Sequence, residues 1–160
     1  MEKELEKQLK PIYEQIGAVV QSSQQMELAI GLGLTLLKQL NSTQFSDEEF
    51  EGSMNLFSEK TLGRLIGEFK KHVELNENSI AALRLALEER NFIVHRLFSE
   101  NIERFPSVKG RKWVLSRIRE ARKNIHPGFI VLDSVVQMLL KVSGISAEQI
   151  MNEVKCKIEV

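Results

Sequence analysis

Residues 79–98 read SIAALRLALEERNFIVHRLF, and their spacing predicts a helix from Ser79 to about Phe98. Turning each residue by about 100° puts Arg84, Glu88, Asn91 and His95 on one narrow polar stripe. Leu83, Leu87, Val94 and Leu97 take the opposite side, and Arg90 projects into the middle of that apolar face. A helix apolar nearly all round apart from one stripe is a central element with neighbours on several sides. An unpaired guanidinium is costly to bury, which leaves Arg90 three exits: a carboxylate, a helix distortion, or a subunit boundary facing an anionic ligand.

Helical spacing continues on both sides of this stretch. Apolar residues from Pro11 to about Leu40 recur at three- and four-residue steps and predict one long amphipathic helix. Ser46-Asp47-Glu48-Glu49 has the form of a capping box and opens a short acidic helix. Leu62, Leu65, Ile66 and Phe69 share one face of a helix over 61–72. Ser99 to Gly110, with Pro106, reads as a loop, and a last helix runs from Arg111 to Val142, kinked or restarted at His126-Pro127-Gly128 and stopped by Gly144. Ser146 and Gln149 predict a final turn or two of helix. No β-branched run is bracketed by hairpin turns, so the expectation is an all-α, up-and-down bundle of about five or six helices. A length of 160 residues suits one domain, or two small ones at most, and residues 1–160 are read as one.

Composition limits the function classes. Lysine and arginine number 22 and aspartate and glutamate 22, so no global charge excess advertises nucleic acid or membrane. The lone Cys156 excludes an intramolecular disulfide framework and a thiolate zinc cluster within one chain, and a reducing compartment is the simple reading. The start, Met1-Glu2-Lys3-Glu4, is not a secretory signal. The apolar run Ala29 to Leu37 falls far short of the roughly 20 residues of a membrane span. A soluble cytoplasmic protein without a membrane partner is expected.

The segment Arg90-Asn91-Phe92-Ile93-Val94-His95 has an arginine, a polar residue directly after it, and a histidine beyond four intervening residues. In this it resembles the HEPN superfamily, whose nuclease members separate an arginine and a histidine by four to six residues. The fuller string from Leu85 to Phe98 looks like the motif helix of small prokaryotic HEPN proteins. Many members carry the motif nearer the C-terminus, whereas here 65 residues follow His95. A second pair, Arg119 and His126, has an allowed spacing, but Glu120 and Pro127 follow its members and we read it as coincidence.

The resemblance implies a metal-independent endoribonuclease of toxin or phage-defence type, with RNA as substrate and an antitoxin or regulatory protein as a further partner. It also implies a homodimer that pools two arginines and two histidines. The residue types suit the chemistry. An imidazole can take the proton of a ribose 2′-hydroxyl at neutral pH, the role of His95. A guanidinium is a fixed planar donor for the crowded oxygens of five-coordinate phosphorus, the role of Arg90. Asn91, four residues before His95, would orient the ring or hold a phosphate oxygen. On a straight α-helix, however, Arg90 and His95 lie about 140° apart, an awkward site for one protomer and a second reason to expect two. Alternatively, Arg90 pairs with a buried glutamate and His95 with Glu88 or a backbone carbonyl, purely as packing.

Lys109, Arg111, Lys112, Arg117, Arg119, Arg122 and Lys123 are opposed only by Glu120. Spread over about 20 Å of helix, they would track a phosphate backbone, Lys109, Arg111, Lys112 and Arg117 being the leading RNA contacts. Trp113 would add a stacking surface for an unpaired base. The plainer reading is a solvated helix face and a core tryptophan. His72 reads as a helix-end histidine and His126 as a kink residue. No His-Glu-x-x-His, Glu-x-x-His or cysteine cluster exists, so neither a metal nor another cofactor is expected. Met26, Met54, Met138 and Met151 fit core filling. The competing function is a non-catalytic helical module of the same fold that holds a protein partner or RNA.

Overall fold

The computed structural model describes residues 2–144. The chain is an all-α helical bundle, with no strand among the described residues. Helix α1 (Glu2–Leu40) starts nine residues before the expected Pro11, which lies inside it and forgoes one backbone hydrogen bond. Helix α2 (Asp47–Ser58) opens on the predicted capping box: the Glu49 N–H donates to Ser46 Oγ at 3.2 Å, and the Ser46 N–H donates to Glu49 Oε2 at 2.9 Å. Helix α3 (Leu62–His72) buries Leu62, Leu65, Ile66 and Phe69 and ends on Lys70, Lys71 and the exposed His72, the two lysines suiting its negative terminus.

Helix α4 (Glu77–Asn91) begins earlier than Ser79. Its cap is Asn76, whose Oδ1 accepts the Ser79 N–H at 2.8 Å. A π-helical segment, Phe92–Arg96, continues it into α5 (Leu97–Asn101) and a 3₁₀ turn, Ile102–Arg104. The expected loop from Ser99 to Gly110 is therefore mostly helical. Helix α6 (Val108–Ser143) starts three residues before Arg111, because Ser107 Oγ accepts the Gly110 N–H at 2.9 Å and caps it there.

Pro127 lies inside α6, which does not restart there. Gly128 shows what the Pro-Gly pair is for: a Cβ at 128 would lie 2.6 Å from Ala86 Cβ and 3.1 Å from the Ala82 carbonyl oxygen. The bare backbone lets α6 press against α4. As predicted, Gly144 ends the helix, with φ at +72° in the left-handed region. The turn expected from Ser146 and Gln149 lies outside the described residues, as do Met151 and Cys156.

The chain falls into two compact units. Within the described residues, one combines 2–26 with Glu74–Val131, and the other combines Glu27–Val73 with 132–144. The first has Ile12, Leu83, Ala86, Ile93, Leu97 and Ile118 in its interior. In the second, Leu36 packs with Val136, Leu139 and Leu140. Met26 is buried as expected, but Met138 is 55% exposed on the outer side of α6 and fills no core. By length and composition α6 is apolar enough to cross a membrane, a property the short run Ala29 to Leu37 does not reveal.

Candidate active site

The π segment corrects the expected separation of Arg90 and His95. In it the Leu97 N–H donates to the Phe92 carbonyl oxygen, five residues back rather than four. The wider turn absorbs one extra residue, so His95 returns to the side that Arg90 occupies. Arg90 Nη1 lies 3.2 Å from His95 Nε2 and 3.1 Å from Asn91 Oδ1. The guanidinium meets His95 across the helix distortion. The same unwinding turns Val94 outward, to 38% exposure, away from the apolar face assigned to it, whereas Leu83 and Leu97 are buried as expected.

A guanidinium donates and has no acceptor, so a hydrogen bond across this contact requires Nε2 of His95 to accept and the ring proton to sit on Nδ1. Nε2 of His95 thus faces the Arg90 guanidinium. Asn91 uses its carbonyl oxygen to hold the arginine rather than the ring. His95 is exposed, and Arg90 and Asn91 are half-buried, so the pair is open to a ligand from solvent.

Directly before Arg90 stands a residue that the sequence reading passed over. Glu89 is only 8% exposed. Its Oε2 accepts Arg117 Nη2 at 2.6 Å and its Oε1 accepts Asn124 Nδ2 at 2.8 Å, both from α6. The Arg117 guanidinium also lies 4.5 Å from the centre of the Phe92 ring, and Arg96 lies 5.5 Å from it. A buried glutamate thus exists beside the motif, and it pairs with Arg117. The signal was available: Ala86, Glu89, Ile93 and Leu97 follow one another on the buried side.

The four leading RNA contacts are not brought together. Lys109 and Lys112 are exposed. Arg111 is 7% exposed and donates to Gln8 Oε1 and to the carbonyl oxygens of Phe105 and Pro106, tying α1 to the turn before α6. Arg117 is committed to Glu89. A basic run this long winds through several helical turns, so part of it must face inward. The exposed cations Lys109, Lys112, Arg119 and Lys123 recur at three-, seven- and four-residue steps and share one side of α6. Arg122 donates to Gln15 Oε1 at 2.6 Å. Trp113 is 39% exposed, with the Arg104 guanidinium 4.0 Å above its ring, so one stacking face is already covered. No group of three His, Cys, Asp or Glu side chains among the described residues is arranged to hold a metal ion.

No protein-family model, curated protein or solved structure matches the chain.

Proposed function

We propose that the protein is a metal-independent endoribonuclease, with Arg90, Asn91 and His95 as its catalytic group. The observation behind it is the 3.2 Å approach of Arg90 Nη1 to His95 Nε2, made by a π turn at an exposed face. π turns inside α-helices are rare and concentrate at functional sites. The resemblance to HEPN nucleases supplies the substrate class and the toxin or phage-defence setting.

In the reaction, a scissile phosphate draws the Arg90 guanidinium onto its oxygens, a stronger charge-assisted partner than an imidazole nitrogen. That uncovers Nε2 of His95, which takes the proton of the 2′-hydroxyl as the 2′-oxygen attacks phosphorus. The bond from phosphorus to the 5′-oxygen breaks, and the leaving oxygen takes a proton from water. The products are a 2′,3′-cyclic phosphate and a 5′-hydroxyl. Lys109, Lys112, Arg119 and Lys123 hold the flanking strand by charge. The homodimer rests on the resemblance and on the exposed Val94, Phe98 and Ile102 that adjoin the motif; the angular reason for a second copy disappears with the π turn. We assign the protein to the cytoplasm on the lone Cys156, for which a reducing compartment is the simple reading.

The experiment is incubation of wild type, Arg90→Ala and His95→Ala with total RNA and defined tRNA in the presence of a chelator. Wild-type fragments with cyclic phosphate ends, lost in both variants, are the expected result. Absence of cleavage by folded wild type on every RNA tried overturns the reading. The exposed stripe Val94, Phe98 and Ile102 then favours a non-catalytic module whose partner is a protein, such as an antitoxin or regulator.

A further inference from the structure

Glu89 takes no part in the reaction as written, yet it is the most elaborately held carboxylate beside the site. A buried carboxylate is expensive unless its oxygens are matched by donors. Here each oxygen has one, Arg117 at 2.6 Å and Asn124 at 2.8 Å. Both donors lie on α6, while the next residues of α4 are Arg90 and Asn91 of the motif. Arg117 reaches further, laying its guanidinium 4.5 Å from the Phe92 ring centre. Phe92 is the first residue of the π segment, and its N–H is shared between the carbonyl oxygens of Glu88 and Glu89. The point where the helix changes from four-residue to five-residue hydrogen bonding is thus gripped on two sides. Glu89 fixes the last α turn to α6, and Arg117 fixes the first π residue to the same helix. Among the described residues, Arg117 Nη1 is buried without a hydrogen-bond partner.

We propose that Glu89 is the positioning residue of the Arg90–His95 pair: with Arg117 and Asn124 it holds the π turn that brings His95 to Arg90. An unsupported helix relaxes toward ordinary α geometry, which carries the histidine about 140° from the arginine. The functional weight of this inference rests on the ribonuclease reading, but the geometric claim does not.

The test therefore follows the His95 ring as well as RNA. Glu89→Gln keeps the shape and lets the Asn124 amide turn over to stay bonded, while removing the charge that orders Arg117. Asn124→Ala leaves the ion pair and removes one anchor. Ser46→Ala, in the capping box of α2, serves as the destabilised control. In ring ¹⁵N spectra the wild-type His95 is expected to show protonated Nδ1 and acceptor Nε2. Both bracket variants are expected to lose that signature toward a free-imidazole mixture, Glu89→Gln more fully, while Ser46→Ala retains it. Cleavage in Glu89→Gln falls by about 10²-fold in kcat with KM little changed, the effect of misplacing a group by about an ångström. An unaltered His95 signature in either folded bracket variant overturns the proposal, whatever the RNA assay gives. A lost signature in a protein that cleaves no RNA upholds the positioning role and sinks the ribonuclease reading instead.

Discussion

Gly128 and Ala86 stand so close that a β-carbon at 128 would come within 2.6 Å of the one at 86. A glycine in a helix interior normally gains stability on conversion to alanine. Here the sign reverses. Gly128→Ala should destabilise by about 1–3 kcal/mol, the usual range for overpacking. Adding Ala86→Gly should recover part of that loss. Urea titrations of the two single variants and the double variant measure it; additive losses would show that the two positions do not meet.

Removing Glu89 altogether exposes the cost of its partners. Glu89→Ala leaves Arg117 in a largely buried place without its anion and should lower stability by about 3–5 kcal/mol. Glu89→Gln should lose about 1–3 kcal/mol, since the amide still accepts one bond. Thermal unfolding of both variants ranks them, and equal losses would contradict a charge-specific role.

Arg90→Lys preserves the charge but not the planar fork that reaches Asn91 and His95 together. Cleavage should fall at least about tenfold with unchanged helical content, read by circular dichroism beside the RNA assay. Full activity in the lysine variant would reduce Arg90 to a point charge.

The exposed cations of α6 make a separate prediction. Lys112→Ala and Lys123→Ala should each weaken RNA binding and make its logarithmic dependence on salt shallower by about one unit. Arg111→Ala should leave that slope unchanged and reduce stability, because Arg111 is buried against Gln8 and two carbonyl oxygens. Fluorescence anisotropy over a salt series separates the two kinds of residue.

Acid sensitivity has an identifiable contributor in Glu68, whose carboxyl is held below its ordinary value of 4.5 by the hydrogen bond and charge of Lys60 at 2.7 Å. A lowered folded value stabilises the protein above the ordinary value and loses that contribution as the pH falls through the lowered one. The pair is partly exposed, so the contribution is a few tenths of a kcal/mol. Glu68→Gln should narrow its gap to wild type as the pH falls below 4.5. A constant gap from neutral pH to acid would exclude Glu68 as a source.

The sequence made the helices legible because their signals are local. The serine and glutamate of α2, the single apolar face of α3 and the glycine after α6 each act within a turn or two. The loop expected at Ser99–Gly110 failed because the Ser107 cap was masked by the neighbouring Pro106. At the site, residue types were readable and angles were not. Whether four residues after Arg90 make a turn and a bit or one wide turn depends on α6, through Glu89, Arg117 and Asn124. The basic run misled for a related reason: charge was counted along the chain, whereas Arg111 and Arg117 find their partners at Gln8 and Glu89.

The π turn also changes what a motif spacing means. On a uniform helix each added residue swings the second group by about 100°, so one spacing would work and its neighbours would fail. A backbone that can shift its hydrogen-bond register by one absorbs the insertion locally and returns both side chains to the same bearing. What matters chemically in such a pair is an azimuth rather than a residue count. Pattern searches that fix the number of intervening positions will discard functional sites whose helices have simply taken up the slack.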